Sequence, residues 1–217
     1  MPSNFRSESS KSRRRVAAPT RDIKKRLLLV CGGARTEKDY FEALKDKYRN
    51  SAVTVRVRTD TRSPLHVVEK AIELFGSSDD DFDECWAVFD VDSFGQKNGA
   101  SVSSNLTQSI TTANKGNVNL AISNPCFEYW LLLHFCDYAK HLSGYKSVRD
   151  KIRPYVPSYD KSGIKISDYL EGIYDAISRA KKRDEKQQPP GENPNTAVWR
   201  IVMQMVPHDA SQARHRS

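Results

Sequence analysis

Trp86-Ala87-Val88-Phe89-Asp90-Val91-Asp92 is an apolar run that closes on two carboxylates. It is short, rich in β-branched and aromatic residues, and followed by Ser93 and Gly95, which reads as a buried strand running out into a loop. Side chains two apart on a strand point the same way, so Asp90 and Asp92 are expected to project together from its end. Two carboxylates held side by side repel unless a cation sits between them, and oxygen donors of this kind suit a hard ion, Mg²⁺ or Mn²⁺. The same residues also read as an acidic loop after a strand, because Asp79 to Glu84 already form an acidic run before it.

Moving outward from this strand, the chain alternates. Arg26 to Cys31 reads as a strand that ends at Gly32-Gly33. A helix follows from Thr36, whose hydroxyl can cap it, with Tyr40, Phe41 and Leu44 on one face. Val53 to Val57 alternates as a strand, and Leu65 to Phe75 is helical in period, stopping at Gly76. Ser101 to Lys115 is helix-compatible with Gly116 as its C′ residue. Val118 to Ser123 reads as another strand. Ser123 or Asn124 then caps a helix from Cys126 to Tyr138, with Pro125 in its first turn and apolar residues nearly all round.

The order strand, helix, repeated four times, predicts an α/β fold with a mainly parallel four-stranded sheet flanked by helices. Functional sites of such sheets gather at the carboxyl ends of the strands, where Gly32-Gly33, Asp90/Asp92 and Asn124/Glu128 all fall. Residues 1–22 read as a disordered basic tail, 23–140 as the α/β core, 141–206 as a helical extension packed on it, and 207–217 as a frayed end. Within the extension, Ser147 to Arg153 and Ser167 to Arg183 read as helices. Residues 184–194 read as a polar Pro-rich linker, and a last short helix runs through Met205.

Composition narrows the function classes. No apolar run approaches the ~20 residues of a membrane span, and no apolar leader opens the chain, so the cytoplasm is the expected compartment. Cys31, Cys85, Cys126 and Cys136 make no C-x-x-C pair and read as buried thiols. No Walker A pattern is present, which argues against an ATPase activity of its own. The net charge of +8 is concentrated at the start, where residues 1–26 hold nine Lys or Arg against Glu8 and Asp22. Arg13, Arg14, Arg15, Lys24 and Lys25 are therefore the expected nucleic-acid contacts of a flexible arm; a solubilising tail fits the same residues.

The longer motifs carry a resemblance. Leu28-Leu29-Val30-Cys31-Gly32-Gly33-Ala34-Arg35-Thr36-Glu37-Lys38-Asp39-Tyr40-Phe41, Phe89-Asp90-Val91-Asp92, and Ser123-Asn124-Pro125-Cys126-Phe127-Glu128-Tyr129-Trp130-Leu131-Leu132-Leu133-His134-Phe135 resemble the three signatures of RloB-like proteins. Tyr159-Asp160-Lys161 and Asn193-Pro194-Asn195-Thr196 fit the later part of that pattern, so the likeness runs from about residue 14 to 206. It implies a Toprim-like domain cleaving phosphodiester bonds in nucleic acid with Mg²⁺ or Mn²⁺. It also implies a role in phage defence (abortive infection) beside a partner ATPase. The implied catalytic set is Glu37, Asp90, Asp92, Glu128 and Lys161, with Asp90, Asp92 and Glu128 on the metal and Lys161 near a phosphate. Glu128 also suits a helix N-terminus, Lys161 also reads as a surface lysine, and His134 reads as a hydrogen-bonded core histidine. A homodimer is left open.

One position departs from the pattern. Where the family has C-E-G, this chain has Cys31-Gly32-Gly33, and glycine can neither carry a proton nor ligate a metal. Glu37 matches a second acidic position of the same motif. The alternative reading is accordingly an impaired adaptor that binds nucleic acid or the ATPase.

Overall fold

The computed structural model describes residues 24–49, 53–77, 81–91, 99–160 and 163–207. Five strands form one sheet in the order β2-β1-β3-β4-β5, with β1 at Lys25–Cys31, β2 at Val53–Thr59, β3 at Glu84–Asp90, β4 at Asn119–Asn124 and β5 at Asn195–Thr196. β1 pairs in parallel with β2 and β3, and β3 with β4. The α/β sheet therefore has four parallel strands plus a fifth, two-residue strand that runs antiparallel to β4. Each crossover carries a helix: α1 at Thr36–Lys47, α2 at Pro64–Ser77 and α3 at Gly99–Lys115. Beyond the fourth strand come α4 (Glu128–Leu132), α5 (Tyr145–Ile152), α6 (Ile173–Asp184) and α7 (Trp199–Met205). Among the described residues, no helix is long and apolar enough to cross a membrane.

The pleat sorts the strand residues into two cores. Leu27, Leu29, Cys31, Trp86, Val88 and Ala121 pack with Tyr40, Phe41 and Leu44 of α1 and with the apolar residues of α4 to α7. Leu28, Val30, Cys85, Ala87, Phe89 and Ile122 pack beneath α2 and α3, against Val67, Val68, Ala71 and Ala113. Strands buried on both faces explain why β1 and β3 read as unbroken apolar runs. By alternation, Asp90 and Ser123 share the face of Val88 and Ala121, and the two are register partners at the ends of β3 and β4.

Several local expectations are corrected. The apolar segment after Pro125 is helical only over α4; hydrogen-bonded turns carry the chain from Leu133 to Cys136 instead of a helix to Tyr138. Residues apolar all round report burial, not helical period, and this segment is buried from Cys126 to His134. No side chain caps α1 or α4: Thr36 is already inside α1, and the Asn124 amide donates instead to the Gly191 carbonyl at 2.9 Å. The left-handed residue after α3 is Asn117 (φ 54°), and Gly116 lies where a Cβ would press on Ile72 Cδ1 at 2.4 Å. The start of the segment expected at Ser167 to Arg183 forms two 3₁₀ turns before α6.

The stretch 184–194, expected as a linker, is fastened at both ends. Asp184 is buried at the end of α6, where it accepts the Trp199 indole N–H at 2.8 Å and the Arg200 Nε–H at 2.9 Å. Asn193 exchanges two hydrogen bonds with the backbone of Leu142, at 3.0 and 2.9 Å. These contacts hold β5 against β4, where the Ser123 and Thr196 hydroxyls meet at 2.9 Å.

His134 is a core residue, as its apolar neighbours suggest. Its Nδ1 lies 3.0 Å from the Trp130 carbonyl, which can only accept, so Nδ1 carries the proton and Nε2 accepts from the Tyr40 hydroxyl at 3.3 Å. Trp130 and Tyr169 close edge-on around the ring. Burial pushes the imidazole down to about 4, so it stays neutral in the fold while the unfolded chain takes up a proton near its ordinary value of 6.5. The unfolded state binds more protons between these two values, so this stabilisation is complete above pH 6.5 and is lost as pH falls toward 4. Its full size is about 3 kcal/mol. Urea midpoints measured from pH 7 down to 4 are expected to fall less steeply for His134→Gln than for the parent chain.

Candidate functional site

Three strand ends and the loops that leave them build one edge of the sheet. β1 continues its pairing one residue further, with the Gly32 N–H donating to the Val88 carbonyl at 2.7 Å. The loop after β2 is tied to the same point by the Asp60 N–H on the Cys31 carbonyl at 2.9 Å. On the other side, the Val91 N–H donates to the Ser123 carbonyl at 2.9 Å, so β3 and β4 stay together as they leave the sheet.

Three carboxylates stand at this edge, all nearly removed from water. Asp90 is the last residue of β3 and 5% exposed; Glu128 opens α4 and is 1% exposed; Glu37 lies in the first turn of α1 and is 4% exposed. The Tyr159 hydroxyl donates to Glu128 Oε1 at 3.2 Å, which fixes the orientation of that carboxylate. Burial, then the negative charges of Glu128 and Asp90, raise the Cys126 thiol far above its ordinary range. Cys126 therefore stands beside both carboxylates and stays protonated. Burial, then the charges of Glu37 and Glu42, raise Cys31 in the same way. Burial and the Glu128 charge likewise keep the Tyr159 hydroxyl protonated and able to donate.

The position of Glu37 depends on bare backbone. A Cβ built on Gly33 would fall 1.7 Å from Glu37 Oε2 and 2.3 Å from Oε1, so the carboxylate occupies the space that any other residue's side chain would fill. The first turn of α1 thus delivers a carboxyl group onto the loop that leaves β1, next to the position where the family motif has its own glutamate. Proximity in sequence hinted at this; the direction of the side chain did not follow from it.

The other expected residues divide by location. Asp92, Lys161, Arg13, Arg14 and Arg15 lie outside the described residues. Lys24 and Lys25 are at the opposite edge, at the amino end of β1, about 20 Å from its carboxyl end at the usual strand rise. There the Lys24 ammonium donates to the Arg49 carbonyl at 3.1 Å, and Lys25 pairs with Glu84 at 2.5 Å and bonds Gln204 at 2.8 Å. Tyr159 gains a role that its sequence neighbourhood, Tyr159-Asp160-Lys161, signalled only through likeness.

The donor set fits a hard divalent cation in type. Mg²⁺ commonly takes one or two protein carboxylates and completes its shell with water and substrate phosphate. Asp90 and Glu128 supply two such groups beside one buried thiol, and Asp92 follows Asp90 by two residues. Among the described residues, no three His, Cys, Asp or Glu side chains close on a single metal position. A site here is thus an open one, completed by groups other than a ready-made protein cage.

Comparison with known proteins gives one family and nothing narrower. No curated protein matches the chain, and no solved structure does. The family model described as RloB-like protein matches residues 27–205, from the first strand to the end of α7. That span takes in every strand of the sheet together with Glu37, Asp90 and Glu128, and the chain belongs to the RloB-like family.

Proposed function

We propose that this chain is a Mg²⁺- or Mn²⁺-dependent nuclease of the Toprim type, hydrolysing phosphodiester bonds in nucleic acid. We assign it to a phage-defence (abortive-infection) system in which it works with a partner ATPase. The observation that carries the chemistry is the pair Asp90 and Glu128, buried at the end of β3 and the start of α4 beside a common thiol. Like charges in a low-dielectric setting are costly, and a divalent cation offsets that cost.

In this reading Asp90, Glu128 and Asp92 would hold the ion, and the Tyr159 hydroxyl keeps the Glu128 carboxylate oriented. Bound there, the cation supplies Lewis-acid stabilisation of the charge that builds on the phosphodiester oxygens. Glu37 accepts the proton of the attacking water as its oxygen bonds to phosphorus, and the departing ester oxygen takes a proton from solvent water as its bond to phosphorus breaks. Lys161 contacts a substrate phosphate. Gly32, in place of the motif glutamate, favours a second reading, an adaptor that binds without cutting.

Cleavage of mixed DNA and RNA substrates with Mn²⁺, in the presence of an ATPase encoded nearby, separates the two. The nuclease reading expects cutting by the parent chain and none by Asp90→Asn or Glu128→Gln. Failure of every protein to cut with the partner present gives the lead to the adaptor. Gly33→Ala provides an independent check on Glu37, since its Cβ displaces the far end of a flexible side chain and leaves the backbone in place. Its cleavage rate should drop about 100-fold, as should that of Glu37→Gln, with thermal unfolding little changed in the glycine variant.

A further inference from the structure

The charges at the two edges of the sheet are arranged differently. At the amino edge, cations are used up internally: Lys25 pairs with Glu84, Lys45 with Glu42 and Arg49 with Asp46. At the carboxyl edge, on the β1–β2 side, three exposed cations gather. Arg35 is in the loop leaving β1, Lys38 is in the first turn of α1, and Arg62 is in the loop beyond β2, while Arg58, near the end of β2, turns to the face of α2 and α3 and donates to the Val57 carbonyl at 2.9 Å. Among the described residues, no carboxylate pairs with Arg35 or Lys38, whereas Arg62 is paired with Asp60 at 2.5 Å.

Arg62 is pre-oriented. Its Nε–H and Nη2–H donate to the Asp60 carboxylate at 3.1 and 2.5 Å, and that carboxylate is itself tucked into the loop with its side chain 8% exposed. The loop is anchored to the end of β1 through the Asp60 N–H. A guanidinium held this way keeps its outer N–H groups turned to solvent and loses little rotamer freedom when it binds. The acidic groups acting on Arg62 are Asp60 and, at longer range, Glu69 and Glu73 of α2, with Glu73 already held by Lys70 at 2.9 Å.

We propose that Arg35, Lys38 and Arg62 form the track on which the phosphodiester backbone of a nucleic acid lies as it approaches Glu37, Asp90 and Glu128. This assignment rests on the nuclease reading for its partner class, and moves the main contact from the basic tail to the catalytic edge. Phosphate contacts of this kind position the strand without reading its sequence, so the track sets where cutting occurs relative to the backbone, not which bases flank it.

The test is binding without cleavage. Fluorescence anisotropy of a labelled DNA duplex, and of an RNA strand of equal length, is followed in EDTA over a NaCl titration. The proteins are the full chain, Arg35→Gln/Lys38→Gln/Arg62→Gln, and a charge-matched control at the amino edge, Lys45→Gln/Lys47→Gln/Arg49→Gln. On duplex DNA the rim variant should lose about 2–3 from the slope of log K against log salt, and at least tenfold in affinity at moderate salt. The control should keep the parent slope. Equal losses in both variants, or complete loss of binding on deleting residues 1–22 alone, would overturn the track. A parent chain that binds through the rim but cuts nothing with its partner leaves the track standing and removes the nuclease reading. A parent chain that binds no nucleic acid removes both.

Discussion

A carboxylate surrenders a large hydration energy when it is buried, and this fold buries Glu37, Asp90 and Glu128 at one edge of one sheet. Much of what surrounds them answers that cost. Tyr159 comes in from the C-terminal segment to donate to Glu128, and bare backbone at Gly33 leaves room for the Glu37 carboxylate. The thiols of Cys126 and Cys31 stay protonated beside the carboxylates and add no further negative charge. A protein optimised for stability alone would fill such an edge with apolar residues; keeping acids there is the pattern of a site that spends stability on chemistry.

The parallel register is what makes the edge. With β1, β3 and β4 side by side and all pointing the same way, residues far apart in the chain leave the sheet at one level. The C-terminal segment then locks β4 from the other side. Thr196 meets Ser123, Asn124 holds Gly191, and Asp184 gathers Trp199 and Arg200, so β5 and α7 brace the strand end from which Glu128 follows. Between α6 and β5, Asn193 and Gln187 side chains satisfy backbone groups of Leu142 and Glu192 that no helix or strand ladder satisfies.

Much of this was legible before any coordinates. The apolar runs of β1 and β3, the carboxylates after them, and the alternation of strand and helix point to a parallel α/β sheet with its site at the carboxyl edge, because periodicity and burial are local properties of a chain. The motif around Glu128, being long, carries family membership as well. Core His134 followed from the apolar residues on both sides of it. The helix after Pro125 was misjudged in length for the same reason: uniform apolarity signals depth in the protein and is silent about where a helix stops.

What only the tertiary structure decided is direction and partnership. Glu37 is one acid among several in its segment until Gly33 is seen to make room for its carboxylate. Lys24 and Lys25 belong to a basic tail by composition, yet lie at the edge remote from the carboxylates, engaged with Arg49, Glu84 and Gln204. Tyr159 reaches Glu128 across 31 residues of sequence. Such contacts depend on how strands are ordered and which way helices return, and nothing in the spacing of residues along the chain encodes a distance between two loops. The chain by itself determined which chemical groups are present and on which elements they ride; the packing of those elements determined which groups meet, because only in three dimensions are charges close enough to act on one another.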